Sequence, residues 1–253
     1  MYSHPAKLSK EEMRHRVSAC RTCLKATNCS AVFEAPRFGL GNRDNPQLMI
    51  VGQNPPRDPD RCLHGAWMLH YLDEPTRAKR GPHELLVAEL LVKLGLGTGD
   101  VYGTQAVKCP TPANSIPGYG NMMNCLHHLD TEIRDVNPKV ILSFGDLTHR
   151  AVMEAMGYFF TTACYQTWYV EPIGACIEST VKSVNNIINA PHPSKVGRFI
   201  NKDSWFSSIL EAYAATKDKP RGLTQSEVVY NNTHGDRGQY GFGMKPTSRT
   251  NAK

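Results

Sequence analysis

Apolar positions along this chain fall into short unbroken runs separated by longer stretches of helical spacing. Leu48 to Val51 is such a run, closed by Gly52, and Val101 to Val107, Lys139 to Phe144 and Asn186 to Ala190 have a similar form. Short runs with little polar alternation predict strands buried on both faces. Between the first two, His83 to Leu94 places Leu86, Leu90 and Leu94 at helical spacing, with Leu85, Val87 and Leu91 widening the apolar face. Asn121 to Val136 puts Cys125, Leu129 and Ile133 on one face of a second helix. Ser9 followed by Glu12 has capping-box spacing for a helix from about residue 10. Asp146 is expected to cap a helix running to Met156, and Asp203 to start a last helix through Ala215. Strands alternating with helices predict a mostly parallel sheet covered on both faces. Ligands of such sheets bind outside the carboxyl ends of the strands. Gly52 to Pro56, Lys108 to Pro117, Gly145 and Pro191 to Ser194 are therefore expected on one rim.

From Lys217 the pattern dissolves into Gly, Asn, Thr, Lys and Arg, with seven basic residues against three acidic ones. Residues 1–216 are read as the folded domain and 217–253 as a polar, basic tail that is too poor in apolar residues to order by burial. At 253 residues and 40% hydrophobic composition the chain can bury a full core. The net charge of +6 fits a polyanionic partner, although enzymes of small substrates often carry as much. No apolar run approaches the roughly 18–20 residues of a membrane span, and no charged-then-apolar leader opens the chain. The expectation is a soluble, cytoplasmic monomer without a membrane partner.

Cysteine usage adds candidate chemistry. Cys20 and Cys23 form a C-x-x-C, and Cys109 and Cys125 follow far downstream, separated by fifteen residues. Two such pairs brought together can offer four thiolates to one metal, and softness alone suits tetrahedral zinc and a [4Fe–4S] cluster equally. The other four of the eight cysteines, Cys29, Cys62, Cys164 and Cys176, have no such pairing and read as ordinary thiols.

Taken in order, several segments carry a family resemblance. They are C-R-T-C at Cys20, L-M-I-V-G-Q-N-P-P at Leu48 to Pro56, V-Y-G-T-Q-A-V-K-C-P-T-P-A-N-S-I-P at Val101 to Pro117, P-K-V-I-L-S-F-G at Pro138 to Gly145, and H-P-S at His192 to Ser194. Together they resemble the uracil-DNA glycosylase superfamily, in particular its iron–sulfur branch, families 4 and 5. The resemblance implies a three-layer α/β/α sandwich around a four-stranded, mostly parallel sheet. It implies a [4Fe–4S] cluster on Cys20, Cys23, Cys109 and Cys125, with zinc as the alternative. It also implies DNA as partner, extrusion of a pyrimidine, and hydrolysis of its glycosidic bond.

The residues suit that chemistry. Breaking the bond places negative charge on the departing base and positive charge on the sugar. His192 is the natural donor to the developing oxyanion, and Asn54 the natural holder of the attacking water. The base side of the pocket is expected to comprise Gln53, Pro56, Gln105 and an aromatic, Trp67 or Tyr71, stacking on the flipped base. Ser194, Lys195 and Arg198 are expected to meet DNA phosphates, with Val196 as an apolar wedge in the vacated stack. Lys108 is expected to support the loop or contact phosphates rather than act in catalysis.

Three departures from the family pattern bear on substrate. The branch usually reads G-E-x-P-G where this chain has Gly52-Gln53-Asn54-Pro55-Pro56, so a neutral amide replaces a carboxylate. Gln105 stands where the family commonly has Asn, one methylene shorter. The stretch from Arg57 to Pro82 is about a dozen residues longer than usual, and Pro56 is small where the main uracil enzymes place a tyrosine against the pyrimidine C5 position. Together these suit a C5-modified pyrimidine, such as a viral-type hypermodified base, with uracil or another deaminated base as the simpler substrate and repair or anti-phage defence as the setting. Loss of the carboxylate equally suits a catalytically silent protein that binds DNA or damaged bases.

Overall fold

The computed structural model describes residues 7–23, 39–55, 81–111, 117–156, 182–184 and 186–219. The described elements are strands β1 (Leu40–Gly41), β2 (Leu48–Gly52), β3 (Val101–Gln105), β4 (Val140–Phe144), β5 (Lys182–Val184) and β6 (Ile187–Ala190), with helices α1 (Lys10–Ser18), α2 (Pro82–Lys93), α3 (Tyr119–Val136), α4 (Asp146–Ala155) and α5 (Lys202–Thr216).

The sheet has six strands in the order β1-β3-β2-β4-β6-β5. Its centre, β3-β2-β4-β6, is parallel throughout, and the short edge strands β1 and β5 pair antiparallel. The expected count of four strands is thus corrected to six. The two additional strands hold two and three residues, too few to leave a pattern in the sequence.

Side chains alternate between the two faces of the central strands, and each face has its own core. Leu48, Ile50, Leu142, Phe144 and Ile188 pack beneath α2 and α5, which contribute Val87, Leu90, Trp205, Phe206 and Ile209. Met49, Val51, Tyr102, Ile141 and Ile187 pack beneath α3 and α4, which contribute Met122, Leu129, Ile133 and Val152. Five-residue strands buried at every position, as β2, β3 and β4 are, follow from helices covering both faces.

Chain order also sets where a cleft can form. After β2 the chain runs to β3 on one side, then crosses to β4 on the other, so β2 and β4 flank a switch point at their carboxyl ends. The Ser9–Glu12 capping box forms as the spacing predicts. Gly145, not Asp146, is the cap of α4, and its φ of 86° is a conformation that side chains disfavour. Asn201 caps α5 by accepting from the N–H groups of Asp203 and Ser204. Among the described residues, no helix is long and apolar enough to cross a membrane.

Candidate active site at the strand ends

Gln105 is the last residue of β3, Asn54 lies just past β2, and His192 lies just past β6. Strand order therefore puts all three at one edge of the sheet. β2 and β6 are separated by β4 alone, roughly 10 Å at ordinary strand spacing. Backbone bonds extend the β2–β3 pairing past its end, from Ala106 N to Gly52 O at 2.8 Å and from Val107 N to Gln53 O at 2.9 Å. Gln53 is partly buried at this edge.

His192 is held from one side only. Its Nδ1 accepts from the Ser194 amide at 3.2 Å and lies 2.8 Å from Ser194 Oγ. An amide N–H can bond only to a ring nitrogen that carries no proton, so the neutral ring has its proton on Nε2. Burial is the main cause that lowers the His192 pKa to about 4, with the positive charges of His83 and Lys195 adding to it. The ring is thus a neutral Nε2–H donor at physiological pH. Helix α2 packs against this loop, bringing exposed His83 near enough to be felt. The sequence pattern marked His83 only as a helix start. The Ser194 hydroxyl, expected to meet a phosphate, also lies beside the histidine.

Asn54 is oriented by its amide. Nδ2 donates to Thr111 Oγ1 at 3.0 Å and to Pro55 O at 3.3 Å, which leaves Oδ1 as the acceptor of the carboxamide. Thr111 is almost fully buried, and nothing in the sequence identified it as the partner. Fifty-seven residues separate the two, so only the fold brings them together.

Gln105 is buried, and its Oε1 has no hydrogen-bond partner among the described residues. The carboxamide packs directly over Gly52, its neighbour in the β2–β3 register. A Cβ at Gly52 would collide with Gln105 Oε1 and come within 3.0 Å of Cδ, so the carboxamide keeps this position only over a glycine. A buried acceptor without a donor is costly unless a ligand supplies one.

Beneath Gln105 lies a buried charge pair. Lys108 Nζ meets Glu132 Oε2 at 2.7 Å and also donates to Thr104 Oγ1 at 2.8 Å and Gln105 O at 2.7 Å, with 1% and 0% of the two charged side chains exposed. Thr104 Oγ1 completes the network by donating to Glu132 Oε2 at 2.6 Å. Lys108 therefore holds the β3 loop from inside and cannot reach a DNA phosphate.

The cofactor expectation is not met. Among the described residues, no group of three or more His, Cys, Asp or Glu side chains is arranged to hold a metal ion, so the proposed iron–sulfur or zinc site on Cys20, Cys23, Cys109 and Cys125 is withdrawn. None of these four cysteines is in a disulfide. Burial, reinforced by the other cysteines, pushes Cys109 up to about 12, and burial likewise pushes Cys125 up to about 11. The Cys125 sulfur accepts from Lys108 N at 3.5 Å, and the Cys23 sulfur accepts from Asn124 Nδ2 at 3.7 Å. A cavity of about 300 Å³ near this end, lined by Met13, Val17, Cys20, His127 and His128 among others, lies between α1 and α3 rather than at the strand ends.

Lys195 and Arg198 are exposed beside His192, while Val196 is partly buried against the core beneath α2 and α5. Pro56, Trp67 and Tyr71, and the basic tail from residue 220, lie outside the described residues.

Comparison with known proteins agrees with this architecture. The family model described as "Uracil DNA glycosylase superfamily" matches residues 38–214. A type-4 uracil-DNA glycosylase of Pyrobaculum aerophilum is 36% identical over 34% of this chain and 43% of its own length. One from Archaeoglobus fulgidus is 29% identical over 61% of this chain and 68% of its own. A type-5 uracil-DNA glycosylase of Pyrobaculum aerophilum is 38% identical over 26% of this chain and 28% of its own. The matched stretch thus spans less than half of the first and third of these relatives.

Proposed function

The chain belongs to the uracil DNA glycosylase superfamily, and we propose that it hydrolyses the N-glycosidic bond of a pyrimidine flipped out of DNA, leaving an abasic site. The observation that carries this reading is His192, a neutral ring whose Nδ1 is occupied by Ser194 and whose Nε2 proton is left to donate. A donor fixed before reaction stabilises charge that appears only in the transition state, and so lowers the barrier without tightening the ground state equally.

In this mechanism the C1′–N bond breaks with its electron pair going to the base, whose carbonyl oxygen gains negative charge opposite His192 Nε2–H. Asn54 Oδ1 accepts a hydrogen from the attacking water and orients its oxygen toward C1′. Asn54 cannot take the proton, which leaves with the departing base or passes to solvent. Without a carboxylate at this position, leaving-group stabilisation carries most of the acceleration. Gln105 Oε1, buried and lacking a donor, suits a base edge that offers an N–H, such as the imide of a uracil-type ring or the amino group of a cytosine-type ring.

The preferred substrate in this reading is a pyrimidine substituted at C5. Gln105, Pro56 and the long Arg57–Pro82 segment change together on the base side, and a coordinated change moves specificity where independent loss only weakens it. Abasic-site formation on duplexes carrying uracil, 5-substituted uracils and 5-substituted cytosines tests both parts. Cleavage with at least one 5-substituted base preferred is the expected result. A higher kcat/KM for uracil than for every substituted base overturns the C5 preference. Tight binding with no cleavage of any substrate leaves a silent base-binding protein.

A further inference from the structure

The loop that follows His192 is built to present one side chain. Pro193–Lys195 forms a single 3₁₀ turn, and the amides of Phe199 and Ile200 fold back to Lys195 O at 2.8 and 3.1 Å. Gly197, at φ 78°, donates to Ile200 O at 2.9 Å and closes the loop. Val196 and Ile200 point inward and pack on the core beneath α2 and α5. The loop base is pinned further by Trp205 Nε1, which donates to Pro191 O at 3.0 Å. Phe199 is what remains outside, 46% exposed.

A large aromatic side chain on a well-tied loop beside a catalytic histidine costs solvation unless something covers it. Its neighbours indicate what does. Lys195 Nζ and the Arg198 guanidinium lie 5.2 and 5.0 Å from the centre of the Phe199 ring, and both side chains are exposed. An aromatic face flanked by cations is complementary to a nucleobase flanked by phosphates.

We infer that Phe199 is the side chain that enters the base stack vacated by the flipped nucleotide, with Lys195 and Arg198 on the adjoining phosphates. Val196, at the position expected to supply the wedge, serves as the loop's inner anchor. Phe199 is a positioning residue: it touches neither the reacting carbon nor the water, and it acts by holding the extruded state open. This inference rests on the base-flipping reading above and adds to it the residue and the loop geometry.

The test uses the full chain and a duplex in which an uncleavable 2′-fluoro-deoxyuridine sits beside 2-aminopurine, whose fluorescence rises when it is unstacked. Single-turnover cleavage of uracil is followed in matched single-stranded and duplex oligonucleotides. Phe199→Ala is expected to abolish the fluorescence rise and to slow duplex cleavage about ten-fold, the scale of one lost base–aromatic stack. Cleavage of the single strand, where little stacking has to be undone, should stay within two-fold, and Phe199→Trp should restore both duplex signals. A wild type that flips without cleaving, with flipping lost in Phe199→Ala, supports the inference while the hydrolytic reading fails. Wild-type cleavage that Phe199→Ala leaves unchanged on the duplex, or slows equally on both substrates, overturns the inference and leaves the hydrolytic reading standing. Loss of the fluorescence rise in Val196→Ala but not in Phe199→Ala also overturns it. No rise and no cleavage by the wild type, with uracil or with any 5-substituted uracil or cytosine at the target position, overturn both.

Discussion

The two ends of the rim are assembled in different ways. The leaving-group end is local: His192 takes its tautomer from Ser194, two residues away, and its loop closes on itself within the next few residues. The base-reading end is assembled at long range. Asn54 depends on Thr111, Gln105 on the space left by Gly52, and the loop after β3 on a charge pair reaching from Lys108 to Glu132 in α3. A self-contained loop keeps its geometry when its surroundings change. A site stitched together from distant segments can be retuned by substitutions that never touch the substrate. This division suits an enzyme whose chemistry stays constant while its substrate shifts.

The largest effect should come from cutting the long-range end at its root. Lys108→Met or Glu132→Gln leaves a buried partner unpaired, and we expect a loss of about 3–5 kcal/mol in urea unfolding. A double variant Lys108→Met/Glu132→Leu should recover much of that loss. Single variants as stable as the parent would show that the pair does not hold the rim.

The local end should respond in rate rather than in stability. His192→Ala should slow single-turnover cleavage by roughly two to three orders of magnitude, the scale of one oxyanion donor, while the unfolding midpoint hardly moves. Loss of stability with no loss of rate would reverse the roles of the two ends.

Gly52→Ala tests the reading end without altering a charge. Its Cβ must displace the Gln105 carboxamide, so kcat/KM for the preferred pyrimidine should fall about ten-fold, near the value of one hydrogen bond. Discrimination among bases should weaken alongside it. An equal fall for every base would mean that Gln105 supports the wall without reading the edge.

A smaller effect comes from the buried His149, which lies 3.1 Å from Ser143 Oγ, and whose pKa is lowered by burial from 6.5 to about 4. Below pH 6.5 the unfolded chain takes up a proton that the folded chain refuses. The stability contribution is therefore full above that value and is lost as pH falls toward 4, by roughly 1 kcal/mol per pH unit. His149→Gln should reduce the slope of that part of the stability profile by about 1 kcal/mol per pH unit, with the share of His128 and His192 remaining, as read by urea unfolding at a series of pH values.

The sequence made the four central strands and their parallel pairing legible for the same reason that the His192 loop is local. Runs of buried residues and short turn motifs are properties of neighbouring positions. Thr111, the place of Glu132 beneath β3, and the fit of Gly52 under Gln105 join positions far apart in the chain, and no periodicity records them. The wedge expectation rests on position in the H-P-S motif, where Val196 falls; the exposure of Phe199 is visible only in the fold. The cysteine spacing was plain, but spacing does not determine whether thiols meet as thiolates around an ion. The fold does, and among the described residues it arranges no group of three or more His, Cys, Asp or Glu side chains to hold a metal ion.

The central claim is that a neutral His192, bonded through Nδ1 to Ser194, donates from Nε2 to the departing base. The most direct measurement is the pH dependence of the single-turnover cleavage rate for the wild type and His192→Ala. Protonating Nδ1 would set a proton against the Ser194 amide and turn the ring out of place. The wild-type rate should therefore hold from pH 8 down to about 5 and fall only toward the His192 pKa of about 4, well above a slow, flat variant throughout. A wild-type rate that titrates near 6.5, or that matches His192→Ala at every pH, would contradict the account.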